Sequence, residues 1–196
     1  MLRIATLALA TSALFAVPAM AQDSTPTPTD KPANAPSDGM NAGMQNDMEP
    51  ITVEMKGADG GSAGTVTVTP TPHGLLLSAD LANLADGDHA FHVHETGVCE
   101  GDFSSAGGHY NPTDKEHGYK VEGGHHAGDL PNFTTTDGAA SFESFAPALT
   151  LTGGEAPLND ADGSAIVVHG GTDDYASQPS GNAGDRIACG VVYSGQ

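Results

Sequence analysis

Six histidines and one aspartate stand out between His92 and His169, in the segments FHVHE (91–95), SAGGHYNP (105–112), KEHGY (115–119), GHHAGD (124–129) and VVHGG (167–171). Imidazole and carboxylate side chains are metal ligands, and their spacing here is specific. His92 and His94 stand at i and i+2, so on a β-strand both rings point to one face. His109 follows 15 residues after His94; His117, His126 and Asp129 come at further steps of 8, 9 and 3. His169 closes a short apolar run far along the chain. One cluster of these residues is all imidazole, which suits copper; the other adds a carboxylate, which suits zinc or copper. The H-x-x-D step to Asp129 and the nine-residue step from His117 select His126 over its neighbour His125. His73, beside Pro72 in a turn, reads as a surface residue.

The elements that must hold these side chains are strands. Ile51, Val53 and Met55 alternate with Thr52, Glu54 and Lys56, and Val66 and Val68 alternate with threonines. Further strands are expected at Leu75–Leu77, Ala90–Glu95, Asp129–Thr135, Ala139–Phe145, Ser164–His169 and Ile187–Tyr193, punctuated by Gly, Asp and Pro. No segment keeps a helical period. About eight strands with turn signals predict an all-β sandwich or barrel. Two long irregular stretches, Thr96–Gly128 and Gly170–Asp185, interrupt the rhythm; both hold or flank the candidate ligands, and loops of that length are usually functional.

The chain ends bound the compartment. Residues 1–21 read as a cleaved signal peptide: Arg3, an apolar stretch from Ile4 to Val17 too short to span a bilayer, and Ala19-Met20-Ala21 before Gln22. Residues 22–50, rich in Pro, Asp, Asn, Ser and Thr, have almost nothing to bury and read as a disordered linker. Met40, Met44 and Met48 recur within it; they suit weak capture of Cu(I), though a plain solvated tether accounts for them as well. Residues 51–196 form the folded domain. Two cysteines, Cys99 and Cys189, agree with an oxidising compartment. The formal charge of −19 excludes a nucleic-acid partner, whose phosphates need a basic face. No later apolar run is long enough to cross a membrane.

Five motifs in order, FHVHE (91–95), SAGGHYNP (105–112), HHAGDLPN (125–132), AIVVH (165–169) and GNAGDRIACGVV (181–192), make the chain resemble the Cu,Zn superoxide dismutase family in its secreted bacterial form. The resemblance runs from about Ile51 to Gln196. It implies an eight-stranded Greek-key β-barrel with two long metal-site loops. It implies one copper held by His92, His94, His109 and His169, and one zinc held by His109, His117, His126 and Asp129, with His109 bridging the two. It implies a Cys99–Cys189 disulfide, an aspartate linking the two metal sites at Asp173 (Asp174 is the adjacent alternative), and a structural role for His89. Arg186, three residues before Cys189, matches the arginine that guides the substrate; an ion pair with Asp185 is the plainer alternative.

The activity implied is conversion of superoxide to O2 and hydrogen peroxide by Cu(II)/Cu(I) cycling in the periplasm, with Arg186 and His109 as the catalytic residues. A homodimer and a periplasmic copper donor are partners the resemblance allows. The alternative from another class is a catalytically silent copper or zinc carrier, which the methionine-bearing tail would fit. The stretch between His169 and Arg186 is short and carries no lysine, unlike the animal form, so charge on that loop is not expected to guide substrate.

Overall fold

The computed structural model describes residues 48–196. The signal peptide expected over 1–21, and the expected linker with Met40 and Met44 up to residue 47, lie outside the described residues. Met48 is described: it is half-buried and packs against the barrel core.

Among the described residues the strands are β1 (Ile51–Gly57), β2 (Ser62–Thr71), β3 (Gly74–Ala82), β4 (Gly87–His89), β5 (Phe91–His94), β6 (Phe133–Thr135), β7 (Ala139–Ala146), β8 (Gly163–His169) and β9 (Arg186–Ser194). Among these residues the only helical element is a single 3-10 turn at Ser104–Ala106. Seven strands join antiparallel in the order β5-β8-β9-β1-β2-β3-β7, and β4 pairs with β6. β4 and β5 are one extended run interrupted at Ala90, whose N–H turns to the Gly171 carbonyl (2.8 Å) and whose carbonyl accepts from the His169 N–H (2.9 Å). Counted as one, they make eight strands. β6 leads through a short turn into β7, the far edge of the large sheet, so the sheet curls round into a barrel.

Period-two patterning builds the core. In β1, Val53 and Met55 are each 1% exposed while Thr52, Glu54 and Lys56 face solvent. Each such fully buried apolar side chain contributes about 1.5–3 kcal/mol. β8 breaks the alternation: all seven of its residues are buried. Ile166 and Val168 face the barrel core, whereas Ala165 and Val167 pack outward under Phe103, Ala106 and Cys189. The long loop after β5 therefore covers the outer face of β8, and a strand covered on both faces reads as a continuous apolar run.

One expected strand is shorter than its sequence pattern. Of Asp129–Thr135 only Phe133–Thr135 is extended. Asp129 is turned inward by hydrogen bonds described below, and Pro131 has no N–H to give a ladder. No helix among the described residues is long and apolar enough to cross a membrane.

Candidate metal centre

β5 places Phe91 and Val93 in the barrel core, so His92 and His94 share the opposite face. Both are fully buried, because the loop that follows folds back over them. That loop is pinned at both ends to β5. Tyr110 N–H donates to the Val93 carbonyl (2.8 Å), Val93 N–H to the Gly128 carbonyl (2.9 Å), and Gly128 N–H to the Tyr110 carbonyl (2.9 Å). A Cβ at Gly128 would run into the Val93 carbonyl, so only glycine lets the two segments approach this closely.

Two groups of buried side chains result. The nitrogens of His92, His94, His109 and His169 lie within 4.8 Å of one another, and so do the ligand atoms of His109, His117, His126 and Asp129. His109 belongs to both. Its Nδ1 lies 2.8 Å from Asp129 Oδ1, while its Nε2 is buried without any hydrogen-bond partner.

The ring nitrogens decide whether these groups suit a metal. His94 Nδ1 lies 3.1 Å from the Gly107 carbonyl and His169 Nδ1 lies 3.3 Å from the Gly184 carbonyl. A carbonyl can only accept, so each Nδ1 carries the hydrogen and each Nε2 carries a lone pair. Those two Nε2 atoms face each other at 3.4 Å. Between two neutral rings in these tautomers that contact is not a hydrogen bond; it is two lone pairs awaiting a cation.

His92 repeats the pattern. Its Nε2 donates to Asp173 Oδ2 at 3.0 Å, and its Nδ1 is buried without a partner. His117 donates Nε2 to Asp173 Oδ1 at 2.9 Å, which leaves the Nδ1 lone pair 3.1 Å from Asp129 Oδ1. His126 Nδ1 is 3.2 Å from the same oxygen but not aligned as a hydrogen bond, and it too is unpartnered. Three imidazole nitrogens thus converge on one carboxylate oxygen. Each unpaired buried polar atom costs about 1–3 kcal/mol. A divalent cation in each group would satisfy all of them, and an all-imidazole set fits copper as the carboxylate-containing set fits zinc.

Protonation follows the same logic. Burial drives the His94 ring well below its ordinary value, with the neighbouring His109, Arg186 and His169 adding to it. Burial lowers His109 to about 4 against the opposing Asp129 hydrogen bond, and it lowers His169 to about 3, helped by His92. Burial works against the Asp129 carboxylate, but hydrogen bonds from the His109 ring and from the backbone N–H groups of Gly118 and His126 outweigh it and hold the group ionised. Neutral rings and a charged carboxylate are the forms that ligate.

Asp173 sits between the groups, with one oxygen on His92 and the other on His117. Asp174 faces away, accepting from Ser177, Ala176 and Asn182. His125 is spent on the His126 carbonyl (2.7 Å), and its ring lies tilted against Tyr119, outside both groups. His89 lies beneath the centre with its ring nitrogens 2.8 Å from the His169 carbonyl and 2.9 Å from the Ala85 carbonyl. His73 is exposed.

Arg186 opens β9 beside this face. Its Nη1 donates to the Phe103 carbonyl (2.5 Å) and its Nη2 to the Gly107 carbonyl (2.6 Å). Among the described residues no carboxylate, Asp185 included, comes within ion-pair distance of it. A cavity of about 510 Å³ leads to the centre, lined by His94, His109 and His169 with Arg186, Glu95 and Asp114. A larger cavity of about 920 Å³ lies against the Cys99–Cys189 disulfide and holds none of the clustered histidines, so size does not locate the chemistry here. The disulfide joins Cα atoms 5.8 Å apart and ties the loop after β5 to β9.

Residues with no ligand-type signal complete the site. Asn132 takes the Asp173 N–H on its Oδ1 (2.9 Å) and gives its Nδ2 hydrogen to the Asp173 carbonyl (2.8 Å). Gln178 does the same for the backbone of His117 (2.8 and 2.9 Å).

The family model described as "Copper/zinc superoxide dismutase (SODC)" matches residues 62–192. The Cu-Zn superoxide dismutase of Caulobacter vibrioides is 48% identical over 146 residues, 72% of this chain and 84% of that one. Superoxide dismutase [Cu-Zn] 1 of Aquifex aeolicus is 45% identical over 68% of this chain and 81% of its own length. The crystal structure of a SOD-like protein from Bacillus subtilis superposes with a TM-score of 0.70 at 39% identity, covering 72% of this chain and 97% of that one.

Proposed function

Because the chain belongs to the copper/zinc superoxide dismutase family, we infer that His92, His94, His109 and His169 hold its copper and His109, His117, His126 and Asp129 its zinc. The protein is a superoxide dismutase with copper and zinc as cofactors; it converts superoxide to O2 and hydrogen peroxide. The observation that carries the residue assignment is the disposition of ring nitrogens. Every histidine of the copper set aims one bare nitrogen at its partners while the other is engaged by Asp173, Asp129 or a backbone carbonyl. Such partners fix the tautomer and orientation of a ligating ring.

Bound copper would supply a one-electron couple, and bound zinc would supply fixed positive charge. The chain's residues do the rest. Arg186, anchored on two carbonyls, presents its guanidinium beside the copper face and draws the anion in. His109 keeps Nδ1 on the zinc side, which leaves Nε2 as the atom that can hold a proton and deliver it to the reduced oxygen species. Asp173 locks His92 and His117 together, so the two metal sites share one orientation.

We also propose that residues 1–21 direct export and that the enzyme protects the periplasm, where a copper donor would load it. The leader's composition and the disulfide support that reading. The test is superoxide decay catalysed by protein loaded with copper and zinc, against zinc-only and metal-free forms. Fast decay that requires copper is expected. Stoichiometric metal without catalysis would replace this assignment with the carrier reading.

A further inference from the structure

Glu95 follows His94 at the end of β5, and it is the carboxylate of the access cavity that grips the framework of the site. Its N–H donates to the Gly108 carbonyl at 3.0 Å, and its Oε1 accepts the Gly108 N–H at 2.8 Å. A Cβ on Gly107, whose φ is 74°, would meet Cγ and Oε1 of Glu95 at 2.7 Å. The loop is therefore shaped to let this carboxylate lie flat on the backbone. The gripped segment matters because the Gly107 carbonyl accepts from both Arg186 Nη2 (2.6 Å) and His94 Nδ1 (3.1 Å), and His109 comes next in the chain.

Charge gives Glu95 a second consequence. Arg186 is the only lysine or arginine lining the cavity, while Glu95 and Asp114 line it with negative charge. A carboxylate there opposes the arrival of an anionic substrate. A charge-assisted acceptor also holds an N–H more strongly than a neutral one. We propose that Glu95 is a positioning residue for dismutation: it clamps Gly107–Gly108, and through them Arg186 and His94, at the expense of a slower approach of superoxide. This rests on the reading of Arg186 as the group that guides the substrate.

Two substitutions separate the roles. Glu95→Gln keeps the acceptor and removes the charge; Glu95→Leu removes both. With copper and zinc bound, Glu95→Gln should raise the second-order rate about twofold at low ionic strength, the effect of one nearby charge in water, and the gain should fade as salt is added. Azide titrated against the copper absorption should bind Glu95→Gln tighter by a similar factor. Glu95→Leu should fall roughly five- to tenfold below Glu95→Gln at any salt, the order expected when a positioning contact slackens. In the metal-free protein the Gly108 amide should exchange with solvent much faster in Glu95→Leu than in Glu95→Gln.

Equal rates and equal Gly108 protection in the two variants would overturn the clamp. A Glu95→Gln variant that neither speeds the reaction nor tightens azide at low salt would overturn the charge role. Arg186→Ala serves as the separate control. If it lowers neither rate nor azide affinity, the reading of Arg186 fails, and Gly108 exchange still decides the clamp on its own.

Discussion

His169 touches only the all-imidazole group, so its loss should act on one metal alone. His169→Ala is expected to abolish copper binding and dismutation while zinc stays bound, as metal analysis after gel filtration would show; retained copper would remove His169 from the ligand set. Asp173 touches both groups, through His92 and His117. Asp173→Asn keeps one acceptor oxygen and loses the other, so copper and zinc affinities should both fall, about ten- to a hundredfold by the usual cost of an outer partner. A titration in which only one metal weakened would show that the bridge is not shared. At this scale the sequence was legible wherever the side chain itself carries the chemistry: the residues grouped by spacing from His92 to Asp129 are brought within ligating distance. The acceptors of Phe103, Gly107 and Gly184 were not legible, because every residue has a carbonyl and only the folded loop selects which ones matter. Glu95 and Asn132 sat inside segments whose ligands drew attention, yet their contacts depend on loops that the local pattern does not describe.

The strands carry the ligands, and two long loops decide whether the ligands meet. Alternation revealed β1 and β2 because each has one solvent face. It could not reveal that β8 is covered on both sides, or that Leu149, Leu151 and Leu158 in the irregular stretch between β7 and β8 are completely buried in the core. Those leucines lack a period, so tertiary packing alone accounts for them. The loop from Gly170 to Asp185 is fixed to the site by close approach. A Cβ on Gly181, at φ 67°, would overlap the Asp173 carboxylate and the His117 ring. Gly181→Ala is therefore expected to push Asp173 off one of its histidines and weaken both metals, with a backbone cost of about 1–3 kcal/mol as well. Unchanged metal affinity would mean that the loop yields freely. The disulfide plays the matching part for the other loop. Closing 90 residues, it stabilises by about 4–5 kcal/mol in the chain-entropy account. Reducing it should lower the melting temperature and slow dismutation, because the loop it tethers carries the Phe103 and Gly107 carbonyls that seat Arg186. Rate measurements before and after reduction at fixed metal content would detect this, and an unaltered rate would separate the tether from the seating of Arg186.

For the molecule as a whole, the centre is a set of neutral rings buried with their lone pairs facing one another, so without metal it must resist protonation. The folded protein holds His109 at about 4 and His169 at about 3, and it lowers His94 as well, all primarily through burial. In the unfolded chain the same rings titrate near 6.5. Between these values the unfolded state binds more protons than the folded one, so the stability these rings retain at neutral pH is lost as pH falls from about 6.5 toward 4. By pH 5 the loss should be roughly 2 kcal/mol for each of His109 and His169, from 1.36 kcal/mol per pH unit below the unfolded value. The metal-free protein should accordingly melt markedly lower at pH 5 than at pH 7.5. Metal reverses this, since a ligand that binds only the folded state adds about 2.7 kcal/mol at a hundred times its dissociation constant. The metal-loaded protein should hold its melting temperature across that pH range until protons displace the ions, near the pH at which the rings begin to charge. Calorimetry of both forms at the two pH values checks the argument. A metal-free protein equally stable at both would mean that the rings are not held neutral, and that the facing lone pairs do not describe the centre before metal arrives.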